Sequence, residues 1–230
     1  MSILANEVIV LDTEGCNIVP SSECNGKNSL SYNVGWSSIR PKDGAVLCER
    51  SYVVDEIFND EQDRMQSAYY ANKIPQYREG IANGEYQVAS FFDVMNEIAN
   101  YCKNHNVVAI VAHNARYDCQ ALNATAKWLT ERFCYALPNL EIWDSMMMAR
   151  SIFGKRPSYK KFCEANGYLT KQGRPQMKAE VLYRFLTKNC DFIEEHTALA
   201  DVRIEREIVL ACYKAHKKMK RVLYHKREVA

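Results

Sequence analysis

The chain has 230 residues, of which 47% are hydrophobic and 25% charged, and its formal net charge is +2. These values lie near the average of globular proteins, so they exclude a disordered chain and do not by themselves indicate a nucleic-acid binder. No apolar run approaches the roughly 18 to 20 residues of a membrane-spanning helix, and the first residues lack the pattern of a secretory signal. We therefore expect a cytoplasmic protein.

The predicted elements begin with strands. Residues 7–12 (EVIVLD) are apolar and β-branched, which is typical of a central strand buried on both faces. Residues 16–29 are predicted to form a loop, because they contain Pro, Ser, Asn and Gly. Residues 31–40 and 45–54 flank a Pro-Lys-Asp-Gly turn and complete a three-stranded meander.

The second half of the chain alternates strands with helices. Residues 55–86 are polar and tyrosine-rich with mixed helical signals, and the pattern is mainly helical from residue 145 onward. The remaining predicted elements are helices at 89–104, from Asn114 to about 132, and from 198 to about 218, with strands at 107–112 and 140–143. This order predicts an α/β fold, with a central mixed five-stranded sheet and helices on both faces, in a single domain over residues 1–230.

The nine cysteines are scattered and show no Cys-x2-Cys spacing. A structural zinc site and a disulfide framework are therefore poorly supported, and reduced, mostly buried thiols are expected.

The most informative residues are five polar side chains in three short segments. Asp12 and Glu14 stand two apart at the end of the first strand, so both carboxylates should lie on one face and could share a metal ion. The alternative is a solvated strand end, because Asp-x-Glu is common by chance.

Asp118 lies in the segment HNARYD, where a buried strand ends and a helix begins. Asn114 is the predicted N-cap, which puts Asp118 about a turn later, where the helix dipole favours an anion. A role limited to complementing that dipole is the more common explanation for such a residue. Tyr117 is likewise more often a core aromatic than a platform for a base.

His196 and Asp201 are five residues apart, which is not one face of a helix. They fit one site if His196 precedes the helix that carries Asp201, with Thr197 as its N-cap. A histidine beside an anchored carboxylate suits a general base, whereas a lone example is usually a solvent-exposed loop histidine.

These three segments, in this order, resemble the DnaQ-like exonucleases, also called DEDDh for their site residues. The first motif is Asp12-Thr13-Glu14, the second runs from Asn114 to Asp118, and the third from His196 to Asp201. The resemblance covers residues 7–209. Two departures are Gly15, where the family often has threonine, and Tyr117, where phenylalanine is more common.

The resemblance implies an RNase H-like fold and metal-dependent removal of nucleotides from a 3′ end. Two divalent ions, Mg²⁺ or Mn²⁺, would stabilise the charge that develops on the phosphate, and both prefer carboxylate oxygen. By this likeness the metal ligands are Asp12, Glu14, Asp118 and Asp201. His196 would be the general base, and Thr13, Asn114 and Tyr117 are the candidate substrate-binding residues.

The substrate remains open at this stage. Single-stranded or frayed DNA is preferred, in end trimming or in proofreading for a replicative polymerase, and an exoribonuclease is a close alternative because sugar discrimination depends on contacts to the 2′-hydroxyl. An RNase H-like endonuclease and a non-catalytic module that binds nucleic acid or a polymerase are further alternatives. A basic helix end at about residues 214–228 is a candidate phosphate contact, although such runs are usually solvated.

Overall fold

A seven-stranded mixed sheet forms the centre of the protein. The computed structural model describes residues 6–19, 25–66, 68 and 71–227. The strands are β1 (Glu7–Asn17), β2 (Ser29–Arg40), β3 (Ala45–Val54), β4 (Gln87–Ala89), β5 (Val107–Ala112), β6 (Glu141–Asp144) and β7 (Val222–Tyr224). Their spatial order is β4-β3-β2-β1-β5-β6-β7.

The central strand β1 pairs antiparallel with β2 and parallel with β5. Ile9 and Leu11 belong to one apolar core, and Val8 and Val10 belong to the other. Successive side chains of a strand point to opposite faces, so β1 contributes to both cores. The prediction of a strand buried on both faces is confirmed.

Helices cover both faces of the sheet. The core on one side takes apolar residues from the first five helices, and the core on the other side takes them from the last four. The helices are α1 (Asp55–Phe58), α2 (Gln62–Gln66), α3 (Ile74–Ala82), α4 (Phe91–Asn104), α5 (Arg116–Thr130), α6 (Ser145–Ile152), α7 (Pro157–Ala165), α8 (Ala179–Thr187) and α9 (Ala198–Lys214). No helix in these described ranges combines the length and apolar character needed to cross a membrane.

The predicted fold class is confirmed, with a correction to the number of strands. The five predicted strands are all present, and β4 and β7 extend the sheet at its two edges. Each of these edge strands has only three residues. So short a segment carries too little hydrophobic alternation to be recognised from sequence.

The loop predicted at residues 16–29 was too long. β1 continues to Asn17 because its last residues stay paired with the start of β2, in the pairs Cys16–Leu30 and Asn17–Ser29. A single 3₁₀ turn at Gly26–Asn28 leads into β2. Residues 20–24 of the predicted loop lie outside the described residues.

Two helix ends also differ from the prediction. Asn114 is not the N-cap of α5: its φ is 66°, and Ala115 occupies the cap position without a side-chain cap. Asparagine tolerates this left-handed conformation, which turns the chain between β5 and α5. At the other end of the chain, α9 stops at Lys214, and His216 has a φ of 50°. The predicted basic helix end therefore consists of the last residue of α9, a connection at residues 215–221, the edge strand β7 and residues 225–227, and residue 228 lies outside the described residues.

Candidate metal centre

The end of β1 and the start of α9 bring three carboxylates together. Oxygen atoms of Asp12, Glu14 and Asp201 all lie within 4.8 Å of one another. Asp12 and Glu14 continue the face of β1 that carries Val8 and Val10, and α9 packs on that face. Strand alternation thus brings two acids towards the helix that supplies the third.

Asp118 approaches the same strand end from the other layer. It lies in the first turn of α5, as predicted, and it is almost completely buried. Its Oδ1 accepts hydrogen bonds from Thr13 N at 3.2 Å and from Thr13 Oγ1 at 3.3 Å. Thr13, a candidate substrate-binding residue, therefore fixes the position of Asp118.

His196 lies directly before α9, beside Asp201. Its Nδ1 is 4.0 Å from Asp201 Oδ2 and 3.7 Å from Glu194 Oε2. Its φ of 56° is left-handed, a conformation that costs a non-glycine residue about 1 to 2 kcal/mol. The side chain is one-third exposed, so solvent can reach it.

The start of α9 is held by β2, which sequence reasoning did not anticipate. Thr197 stands at the N-cap position, as predicted, but makes no side-chain cap. Instead the Oδ1 of buried Asn33 accepts hydrogen bonds from Ala198 N and Tyr77 Oη, each at 2.9 Å. One orphan N–H of the helix is thereby satisfied by a neighbouring strand.

Gly35 allows this close packing of α9 on β2. A Cβ atom at this position would lie 2.5 Å from the carbonyl carbon of Ala198, closer than real contacts allow. The absence of a side chain therefore brings the N-terminus of α9, with Asp201, near the end of β1.

Two further acids border the cluster. Glu205 lies one turn after Asp201 on α9, is buried, and accepts a hydrogen bond from His113 N at 3.1 Å. Glu194 lies beside His196. The four-residue spacing of Asp201 and Glu205 on a predicted helix could have indicated Glu205. No periodic pattern marks Glu194.

Burial and mutual repulsion raise the pKa values of the clustered carboxyls. The pKa of Glu14 rises to about 10, through burial first and then the charges of Asp12 and Asp201. For Asp201 the value is about 9, through burial and then Asp12, and for Asp12 about 7, through burial and then Glu194. The pKa of Asp118 is also raised by burial and by Asp12. Carboxyl groups that are buried together and repel one another in this way cannot all ionise without a compensating cation.

The donor set fits a divalent cation. Asp12 Oδ2 and Asp201 Oδ1 are buried and have no hydrogen-bond partner among the described residues. A buried oxygen of this kind is costly unless something positive satisfies it. Hard ions such as Mg²⁺ and Mn²⁺ prefer carboxylate oxygens, which these residues offer.

The two remaining candidate substrate-binding residues lie around the same strand end. Asn114 donates its backbone N–H to Asp144 Oδ1 at 3.4 Å. The hydroxyl of Tyr117 is hydrogen-bonded to Ser29 Oγ at 3.0 Å. A Cβ atom at Gly15 would come within 2.1 Å of Ser29 Oγ and 3.2 Å of Tyr117 Oη. The two departures from the family pattern are therefore linked, because Gly15 leaves the space into which the hydroxyl of Tyr117 extends.

Comparison with known proteins identifies the fold. No protein-family profile and no curated protein sequence matches the chain. Solved structures do match. A full-length 3′-exonuclease aligns with 98% of this chain and 91% of its own, at 11% identity and a TM-score of 0.52.

Two nucleic-acid complexes also match. Exonuclease I of E. coli bound to a dA16 oligonucleotide has a TM-score of 0.53 at 13% identity, and the match covers 90% of this chain. A 3′-exonuclease that recognises the histone mRNA stem-loop has a TM-score of 0.51 at 11% identity, over 92% of this chain. This chain spans 40% of the first and 64% of the second. These matches confirm that the chain shares the fold of solved 3′-exonucleases, as the predicted resemblance implied.

Proposed function

We propose that this chain is a metal-dependent 3′-to-5′ exonuclease that hydrolyses phosphodiester bonds at nucleic-acid 3′ ends. The observation that carries the proposal is the convergence of Asp12, Glu14 and Asp201 within 4.8 Å, with Asp118 and His196 at its border. A purely structural cluster would be compensated by lysine or arginine. Among the described residues, no such side chain forms an ion pair with Asp12, Glu14 or Asp201.

The four acids would hold the ions, with Asp12 and Asp201 offering their unpartnered oxygens. When bound, two divalent ions would supply positive charge to the attacking and leaving oxygens of the phosphate. Thr13 keeps Asp118 aimed at the cluster through its two hydrogen bonds. Asn33 keeps the start of α9, and with it Asp201, against β2.

His196 would accept the proton of the attacking water. Burial and the nearby charge of Lys73 lower its pKa, so the ring is neutral near neutral pH and can take a proton. Its one-third exposure gives it access to the substrate side of the site.

Single-stranded or frayed DNA is the preferred substrate, and an exoribonuclease is the second candidate. The matched structures include an enzyme bound to DNA and one that recognises an mRNA stem-loop, so both sugars are compatible with the fold. Proofreading beside a replicative polymerase stays a prediction, as does the single-domain organisation.

End-labelled DNA and RNA, incubated with Mg²⁺, Mn²⁺ or a chelator, test the proposal. A product ladder that grows from the 3′ end and disappears with chelator is expected. Internal cuts would instead indicate an endonuclease. Binding of the strand without any cleavage, under all metal conditions, would indicate a non-catalytic module and contradict the proposal.

A further inference from the structure

A basic groove lies between α6 and the segment that precedes α8. It has a volume of about 640 Å³ and is lined by Arg150, Arg174 and Lys178, together with the apolar side chain of Met146. No acidic residue is among its described lining residues. We call this the Arg150 groove.

A second basic groove lies on the other side of α6. It has a volume of about 510 Å³ and is lined by Lys217, Lys218 and Lys220 together with Met147. The segment that carries these lysines is tied to α6, because Lys220 N donates to Ser151 Oγ at 3.2 Å. Its described lining residues also include no acid. We call this the Lys218 groove.

Both grooves begin at the sheet edge that carries the acidic cluster. Asp144, at the end of β6, pairs with Ala112 at the end of β5 and caps α6 through Met146 N at 2.8 Å. Parallel neighbouring strands end at the same edge, so α6 starts beside the site.

The Arg150 groove has a more direct connection to the site. His113 follows β5, and its Nε2 donates to the carbonyl of Met177, a residue that lines this groove, at 2.6 Å. Burial and the charge of Glu180 raise the pKa of Glu194. The nearby charge of Lys178 opposes this increase.

The cations of these grooves form no ion pair with a described acid. Arg150 contacts the sulfur of Met146 at 3.6 Å, and Arg221, which also lines the Lys218 groove, stacks over the ring of Trp143 at 4.1 Å. Exposed cations without acidic neighbours create a positive field that attracts a polyanion. The acidic cluster a short distance away creates the opposite field, which repels phosphate.

We propose that the two grooves along α6 bind the phosphates of a single-stranded nucleic acid upstream of its 3′ terminus. This inference rests on the proposed exonuclease function. A strand whose end enters a cluster of carboxylates needs compensating cations for the phosphates that follow, and the two grooves that border α6 present them. Phosphate contacts of this kind supply affinity without sequence preference. The partly exposed Met146 and Met147 offer apolar surface to the bases between them.

The test compares two pairs of substitutions with a matched control. Arg150→Gln with Arg174→Gln weakens the first groove, and Lys217→Gln with Lys218→Gln weakens the second. The control is Lys103→Gln with Lys127→Gln, two exposed lysines on α4 and α5, which cover the opposite face of the sheet from α6. All three proteins lose the same charge. Each is assayed with a single strand of about 20 nucleotides and with a mononucleotide p-nitrophenyl ester that reaches only the catalytic site.

Both groove variants should raise KM for the long strand by about tenfold, with kcat and ester hydrolysis unchanged. The slope of the logarithm of the binding constant against the logarithm of the salt concentration should become shallower by about 0.7 for each phosphate contact that is lost. The control variant should behave as wild type. Equal KM values for the groove variants and the control would overturn the inference.

A binding experiment separates this inference from the proposed function. Fluorescence anisotropy of the labelled strand with Ca²⁺ reports affinity whether or not the chain cleaves. Weaker binding by the groove variants supports the inference even if no product appears. Unchanged binding contradicts it even if the chain proves to be an exonuclease.

Discussion

Two sets of buried or half-buried acids touch the same helix, α9, in opposite ways. Glu49 on β3 meets Arg206 Nη1 at 2.6 Å and Arg203 Nη2 at 3.1 Å, and these cations lower its pKa against the effect of burial. Asp201 and Glu205 on α9 have no such partners among the described residues, and burial raises the pKa of both.

The difference separates structural charge from functional charge. A carboxylate that only needs to be tolerated can be matched by an arginine from the same chain, as Glu49 is. Asp12, Glu14 and Asp201 form no ion pair with a described lysine or arginine, which leaves them available to the ions of the proposed site. Their crowding destabilises the ionised apo protein, and bound cations would relieve this repulsion.

The largest expected effect comes from removing one acid of the site. Asp12→Asn should lower kcat by on the order of 10³-fold or more, about 4 kcal/mol of transition-state stabilisation, because it removes a ligand of the proposed ions. The chelated variant should be as stable as wild type or more stable, since like-charge repulsion is relieved. Steady-state kinetics and thermal unfolding measure both quantities.

The matched control for this variant is Asp60→Asn, which changes an exposed acid in the segment before α2. It should leave both the rate and the stability unchanged. Wild-type activity in Asp12→Asn would refute the metal site.

His196→Ala should have a smaller effect on rate. A loss of about 10² to 10⁴ in kcat is expected for a positioned proton acceptor, while ion affinity changes little. The wild-type rate should rise with pH as the ring loses its proton, and this limb should vanish in the variant. His105→Ala is the control. His105 lies just after the C-terminus of α4, is half exposed and stacks on Tyr101. Lost ion binding in His196→Ala would make the residue a ligand instead.

The pH dependence of stability should distinguish the two sets of acids. The site carboxyls have folded pKa values of about 7 to about 10, above those of the unfolded chain near 4. The folded state then binds more protons, so their contribution to stability is complete below about pH 4 and is lost as pH rises through the folded values. In chelator, the melting temperature of wild type should therefore fall between about pH 5 and about pH 8, relative to an Asp12→Asn/Asp201→Asn variant.

Mn²⁺ should reverse that loss. Ions that bind only the folded cluster stabilise it by mass action, and they compete better with protons as pH rises. The increase in melting temperature should be larger at about pH 8 than at about pH 6 and absent in the double variant. If the melting temperature of the wild type changes neither with pH nor with millimolar Mn²⁺, the acids do not form an ion site.

Much of the site could be predicted from sequence, because local patterns determine where its residues stand. A buried strand followed by Asp-x-Glu puts Asp12 and Glu14 on one face, and an apolar strand before HNARYD puts Asp118 at a helix start. Long periodic helices such as α4 were predictable for the same reason.

The rest depends on contacts between segments far apart in the chain. Asn33 caps α9 across 165 residues, and Gly35 matters only because α9 packs on it. The turn at Asn114 needs a left-handed residue, whereas the sequence alone equally favours a side-chain cap. Such features follow from the assembled fold and leave no local signature.

The smallest expected effect comes from Glu49, and its sign should oppose that of the site. Glu49→Gln should destabilise the protein by about 1 kcal/mol, because two arginines lose a partner that is only one-quarter exposed. Activity should be unchanged, since Glu49 lies on β3, two strands away from β1, and its partners are Arg203 and Arg206 rather than the clustered carboxylates. Its folded pKa is lowered, so its contribution to stability is present above the unfolded value near 4.3 and is lost as pH falls through the folded one. The difference in melting temperature between Glu49→Gln and wild type should thus shrink in acid. The difference between Asp12→Asn/Asp201→Asn and wild type should instead grow towards alkaline pH.

Glu207→Gln is the control for this variant. Glu207 is more exposed than Glu49 and lies 3.7 Å from Arg206, so its replacement should cost almost nothing. A pH-independent loss in Glu49→Gln would mean that packing, and not charge, accounts for the role of Glu49.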